Sequence, residues 1–333
     1  MGRLDIAMRQ LMNDRNVFAD VFNFGRADGH KFDPSGLREM DPSASVTDAL
    51  SGLSLSQSSD IARKLVVRGD ESRTCALLLL ENQSYSDRLM PFRYLYAAAM
   101  HWRRCVSDII KLHRQVKDLK GSDDFLTGFG KSDRLPHVYM MALYAGKKPW
   151  NGPLCLAELL DKEDVGSGLY EPDCRINLLS LVELSDMEVA RFSTNEMKVM
   201  ATAVRLQDNL KKLDEIVQTN PAFRSVNGDL YDVVKFSTGY ELPQPKYTRG
   251  NDMRKAFAEY KKSVRDEGHQ EGLLEGIQEG LQKGLQKGAE KRNNEIVANM
   301  LKDHCPMAAI EKYTRLPLEQ ILQIAKANNI PFP

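Results

Sequence analysis

No stretch of the 333 residues is apolar enough to cross a bilayer. The longest unbroken aliphatic run, Ala76 to Leu80, is far short of the ~20 residues a membrane helix needs. Cysteine is scarce: Cys75, Cys105, Cys155, Cys174 and Cys305 form an odd set with no CxxC pair, which argues against both a disulfide framework and a zinc cage. The six histidines are scattered, and His304 beside Cys305 has no second ligand pair at metal-site spacing. An excess of one charge sign is also lacking, since 46 basic residues balance 46 acidic ones, so any attraction to nucleic acid must come from local basic stripes. P-loop, dinucleotide and Ser or Cys nucleophile motifs are missing, which leaves small-molecule enzymes with little support. The N-terminal MGRLDIAMRQLMNDR carries early acids and no long apolar stretch, unlike a secretory or transit leader, and a cytoplasmic location with no membrane partner is expected.

What is present is a mixed α/β pattern. Val17, Phe18, Val21 and Phe22 fit a short helix, which Gly25, Gly29 and Pro34 end. Residues 42–59 are rich in Ser, Asp and Gly and read as a surface loop leading into a strand at 61–67. A second strand begins at Thr74 after the turn-forming RGDES, and its Ala76 to Leu80 run suits a central strand buried on both faces. Pro91 suits the first turn of a long helix over 91–117, and 136–145 reads as a further buried strand. Helical periodicity dominates 154–240 and is clearest where Met197, Met200, Val204, Leu206, Leu210, Leu213 and Val217 recur. The expected organisation is a core to residue 160, a helical extension over 161–241, a linker and glycine-repeat helix over 242–293, and a small helical segment over 294–333.

The two central strands form an antiparallel hairpin whose register can be worked out. A turn centred between Asp70 and Glu71 places Asp60 opposite Glu81, with Cβ atoms ~5 Å apart, and Gln83 on the same side one step on. Two carboxylates that close repel unless a divalent cation relieves them, which favours a metal site. An Asp that starts one strand and a Glu that ends the next can equally lie near solvent with no mutual role, and these two residues alone leave that open.

The strand end and following helix, LLLLENQSYSDRLMPFRYLYA, resemble the ENQ…MPxR signature of the recombination-promoting nuclease and transposase-like family, a branch of the PD-(D/E)xK nucleases. FADVFN at 18–23, LREMD at 37–41, SDIARK at 59–64 and DRLPHVYMMALYAGKKPWNGPLCLAELL at 133–160 resemble further blocks of that family in its order, over roughly residues 14–215. The resemblance implies an α/β fold with a restriction-endonuclease-like core, and Mg²⁺ or Mn²⁺ as cofactor. It implies Asp60 as the motif's Asp, Glu81 as its acidic partner, Gln83 where most of the superfamily has Lys, and Glu39 as a fourth catalytic member. Asp60 and Glu81 would be the metal ligands. The chain departs from relatives in YLYAAAMH after MPFR and in YAG at the end of the later strand.

The helix from Phe92 to Lys117 carries Arg93, Arg103, Arg104, Lys111, Arg114 and Lys117 against the single acid Asp108. Arg103, Lys111 and Arg114 fall near one helix face, suited to DNA phosphates, with Arg93 nearest the carboxylates and Tyr94, Tyr96 and Trp102 on flanking surface. Further on, Gly268, Gly272, Gly276, Gly280, Gly284 and Gly288 recur every four residues beside Leu273, Ile277, Leu281 and Leu285, which points to close helix pairing in a homo-oligomer. Blocks at 296–301, 307–313 and 318–325 have helix-turn-helix spacing, with Gln320, Gln323 and Lys326 as the exposed polar residues of the reader; a protein-binding cap is an equal alternative. The expected function is a metal-dependent DNA endonuclease serving recombination, transposition or defence. The competing class is a DNA-binding or assembly protein on the same fold.

Overall fold

The computed structural model describes residues 2–331 except 27, 28, 30, 48–53, 69, 162, 164–171 and 246–249. It divides into a unit over Met1–Tyr260 and a second over Lys261–Pro333. The first opens with helices α1 (Arg3–Leu11) and α2 (Arg15–Asn23), followed by strands β1 (Leu37–Glu39), β2 (Ser43–Thr47), β3 (Ser54–Ser58), β4 (Ile61–Val67) and β5 (Asp70–Gln83). Then come helices α3 (Met90–Val116) and α4 (Ser122–Thr127), strands β6 (His137–Tyr144) and β7 (Asn177–Ser180), and helices α5 (Asp186–Val189), α6 (Asn195–Arg205), α7 (Leu210–Thr219) and α8 (Gly228–Thr238).

Five strands form one sheet in the order β1-β4-β5-β6-β7, antiparallel across β1, β4 and β5 and parallel across β5, β6 and β7. The parallel step from β5 to β6 needs a crossover, and α3 supplies it. Both faces of β5 are covered, which is why its aliphatic run does not alternate with polar residues. Leu78 and Leu80 join the main core with residues of α1, α2, α6 and α8, while Leu79 packs with Met90, Tyr94 and Ala97 of α3. The buried Asp20 of α2 is satisfied structurally: its carboxylate accepts from the amides of Ser193 and Thr194 at 2.9 and 2.8 Å, tying α2 to the start of α6.

Several expectations are corrected. The stretch read as a surface loop contains the antiparallel β2–β3 hairpin, although its centre, 48–53, lies outside the described residues. Within the span read as helical lies β7, whose four residues are too few to show a period of their own. The periodic segment from Asn195 is helical as expected and consists of two helices interrupted at 206–209, with Asn209 capping the second through Lys212 N–H at 3.2 Å. Its apolar positions are nonetheless core: Met197, Met200, Val204, Leu213 and Val217 are buried with the sheet residues of the first 160. Residues 246–249 of the Pro-rich break lie outside the described residues.

The last helices are α9 (Met253–Lys302), α10 (Met307–Thr314) and α11 (Leu318–Ala327). In the second unit Val297, Ala298 and Leu301 pack with Ile310, Ile321, Ala325 and Ile330 in a small core of their own. Arg315 takes the left-handed conformation, φ 58°, after α10, and its N–H closes on Glu311 O at 2.9 Å, so an arginine fills the position where glycine is favoured.

Candidate active site

The β4–β5 register brings the expected pair together by an unexpected route. Val67 pairs with Asp70, so the turn is tighter and earlier than the sequence indicates, and irregularities between Leu65 and Val67 absorb the shift. Beyond them Leu65 faces Ala76 and Ile61 faces Leu80, the expected register, which leaves Asp60 next to Glu81 at the end of the ladder.

Asp60 immediately precedes β4, and its Oδ2 accepts the backbone N–H of Asn82 at 2.7 Å. Burial raises its pKa, while the Asn82 amide and the charge of Arg9 draw it down and Asp5 pushes it up. The Glu81 side chain is 6% exposed, and its Oε2 accepts from Arg93 Nη2 at 3.0 Å. Its Oε1 is buried with no donor in hydrogen-bonding geometry. Burial pushes the Glu81 carboxyl up to about 7; Arg93 opposes this, the Asp60 charge adds to it, and the Ser59 hydroxyl draws it back. Arg93 in turn donates through Nη1 to Asp87 Oδ2 at 2.7 Å, and these two carboxylates outweigh the burial that works against its charge. Strand alternation sets the buried Gln83 on the side of Glu81.

Glu39 is not brought to this group. It ends β1 opposite Arg63, three residues along β4 from Asp60, and its carboxylate is 90% exposed and 3.9 Å from Arg63 Nη1. Among the described residues no three His, Cys, Asp or Glu side chains are grouped to hold a metal ion. The donor set that remains is two carboxylates, one with a buried oxygen lacking a donor. That fits a hydrated hard cation such as Mg²⁺, which keeps several waters and takes one or two protein carboxylates. It does not fit a cation enclosed by protein ligands.

Two acids and a base near the site escape the sequence reading. Asp87 caps the approach to α3, accepting Leu89 N–H at 2.8 Å as well as Arg93, and a capping-type residue just before a helix was a legible signal. Asp5 and Arg9 stand within electrostatic reach of Asp60 on α1, a helix announced by Leu4, Ala7, Met8 and Leu11 at helical spacing.

Along α3, Arg103, Arg104, Lys111, Arg114 and Lys117 are exposed, with Lys111 4.0 Å from Asp108 and Arg104 3.5 Å from Ser43 O. At 1.5 Å per residue the row from Arg93 to Arg114 runs about 31 Å, so only Arg93 touches the carboxylates. Two of the three flanking aromatics are committed to the fold. Tyr94 is buried and donates to Asn177 O at 3.2 Å, and Trp102 Nε1 donates to Pro136 O at 2.9 Å. Tyr96 stacks on Phe92.

A protein-family model described as "Putative transposase, YhgA-like" matches residues 56–227, from just before Asp60 to the start of α8. No curated protein and no solved structure matches the chain. Among the described residues no helix is long and apolar enough to cross a membrane.

Proposed function

The chain belongs to the family of YhgA-like putative transposases, and from that premise we propose that it is a metal-dependent DNA endonuclease with a PD-(D/E)xK-type core. The observation that carries this reading is the meeting of Asp60 and the buried Glu81 at the open end of β4 and β5, with Glu81 held up to about 7. Asp60 and Glu81 would hold the Mg²⁺ or Mn²⁺. When bound, such an ion lowers the pKa of a coordinated water and offsets charge developing on a phosphodiester.

The chain's own residues have distinct tasks. The Asn82 amide fixes one Asp60 oxygen and leaves the other for ligation. Glu81 near neutral pH is shared between its protonated and charged forms, so a divalent cation competes with a proton at this carboxyl. Arg93 supplies positive charge to Glu81 and presents a guanidinium suited to a phosphate. Gln83 can orient water or phosphate through its amide but cannot accept a proton as a base, so slow or tightly restrained cleavage is expected. The exposed basic residues of α3 would track the DNA backbone beyond the cut.

Supercoiled plasmid incubated with the protein and Mg²⁺ or Mn²⁺ tests the reading. Nicked or linear product that disappears with Asp60→Ala supports it. A mobility shift without cleavage under either ion overturns it in favour of a DNA-binding protein on this fold.

A further inference from the structure

Helix α4 adds nothing to the hydrophobic core. None of its six residues is buried, and Phe125 and Leu126 are 76% and 83% exposed. The helix is nonetheless firmly seated at the end of α3. Gly128 closes it in the left-handed conformation, φ 70°, with its N–H on Asp124 O at 2.8 Å, and a Cβ there would come within 3.1 Å of Ile110 on α3. His113 of α3 meets Asp118 Oδ1 at 2.6 Å and Asp133 Oδ2 at 2.8 Å, which ties down the chain on both sides of α4. Asp133 also accepts the Gly130 N–H at 2.7 Å. Two adjacent apolar side chains are thus held in water by an ordered scaffold that buries neither, which sets them apart from scattered surface residues.

The cavity beside the pair says what kind of ligand it takes. It measures about 450 Å³ and is walled by His113, Arg114, Lys117, Leu119, Phe125 and Leu126. Among the described residues no acid lines it; Asp123 and Asp124 stand in the first turn of α4 and are not part of its wall. Hydrogen bonds to Asp118 and Asp133 raise the pKa of His113 and favour its cation. An aromatic face beside several cations suits a ligand that joins a flat ring to a phosphate, which is a nucleotide whose base has left the stack. A paired base inside a duplex cannot enter, because its neighbours cover both of its faces. Arg114 and Lys117 also end the exposed basic row of α3, so the cavity continues the surface suited to a DNA backbone.

We propose that the cavity between α4 and the end of α3 takes an unstacked base of DNA, so that the preferred substrate opens from duplex into single strand there. The inference rests on the DNA-cleavage reading above and adds the class of DNA. Phe125 stacks on the base, Leu126 fills the place of its former neighbour, and Arg114 and Lys117 hold the flanking phosphates. At 1.5 Å per residue, Arg114 and Lys117 lie about 31–36 Å along α3 from Arg93. With DNA rising ~3.4 Å per base pair, a duplex lying along the helix opens about nine to eleven base pairs from the carboxylates. Blunt duplex would still be held by the basic row, but without the contribution of the stacked base.

Fluorescence anisotropy on the full chain without divalent metal tests it, using a blunt duplex and a forked duplex of the same paired sequence with unpaired arms. The wild type should bind the fork at least about tenfold more tightly than the blunt duplex at equal salt. Phe125→Ala/Leu126→Ala should remove that preference, while Phe125→Trp should keep it because stacking needs only a ring. The slope of log K against log salt should be the same for the double variant and wild type, since no phosphate contact is removed. Both side chains are exposed, so the fold should tolerate the change, and circular dichroism checks that it does. Equal affinity for fork and duplex, or a fork preference that survives the double change, overturns the proposal. So does binding to anionic phospholipid vesicles that the double variant loses, with no fork preference in wild type, which would give the pair to a membrane surface. The plasmid assay fails separately: cutting without fork preference keeps the nuclease and removes this site, and fork preference without cutting keeps the site on a DNA-binding protein.

Discussion

The end of the β4–β5 pair and the glycine-repeat stretch of α9 use the same residue types, carboxylates beside basic side chains, in opposite surroundings. At the sheet end, burial raises the pKa of Asp60 and Glu81, the neighbouring carboxylates push it further up and the neighbouring arginines draw it back. Along 261–292 every charge stands in solvent, where an ion pair such as Glu279–Lys283 is worth only a few tenths of a kcal/mol. A buried charge acts singly and is tuned by its neighbours. An exposed row contributes only weakly, pair by pair.

The sharpest contrast is catalytic. Asp60→Ala and Glu81→Ala should each lower plasmid nicking by at least about 100-fold while leaving the gel shift in place, because each removes a ligand without touching the exposed basic residues of α3 from Arg103 onward. Wild-type cutting by either variant would remove these residues from the chemistry.

Stability against pH separates the two regions next. Glu81 has an ordinary carboxyl value of 4.5 and a folded value of about 7, so between them the folded state keeps a proton that the unfolded chain has released. Its contribution is therefore present at low pH and lost as pH rises through 7, on the order of 3 kcal/mol in full. Denaturant unfolding between pH 5 and 8 should show this loss, Glu81→Gln should flatten it, and Mg²⁺ should stabilise the wild type more at pH 8 than at pH 6. Equal curves for wild type and Glu81→Gln would show that the burial of this carboxyl has no energetic consequence.

The collective side can be measured by salt. Replacing Arg103, Lys111 and Arg114 with Ala should reduce the slope of log K for DNA against log salt by up to ~3 units, at ~0.9 per phosphate contact. An unaltered slope would assign those residues to a solvated helix face.

The smallest effects should have opposite signs in the two regions. A Cβ at Gly146 would collide with the Tyr144 ring, so Gly146→Ala should destabilise the fold by about 1–3 kcal/mol. A Cβ at Gly276 meets open space, and Gly276→Ala should raise helix content by about 1 kcal/mol of propensity in the monomer. Thermal melts and circular dichroism distinguish the two.

Much of the sheet end was legible in the residues themselves. The β4 limits, the central position of β5 and the Asp60–Glu81 register follow from local pattern, even though the turn sits at Val67–Asp70 rather than between Asp70 and Glu71. The tighter turn and the irregularity after Leu65 compensate each other, so the register at the far end is insensitive to that error. The β2–β3 hairpin was not legible, because SASVT and SLSQS are dominated by serine, a residue favoured in turns and loops, which masks the weak alternation of Ala44 and Val46.

Composition and spacing determined most of the classes of element, the lack of an apolar run long enough for a membrane helix, and the period-four row of α9, because each depends on residues close together in sequence. The tertiary structure alone decided that Arg93 bridges Glu81 and Asp87, that α1 brings Asp5 and Arg9 toward Asp60, that Glu39 faces Arg63 instead, and that Tyr94 and Trp102 are structural. These depend on how elements far apart in the chain pack across the two faces of one sheet. Side-chain burial there, rather than residue type, sets which charge is shifted and which group is left without a donor.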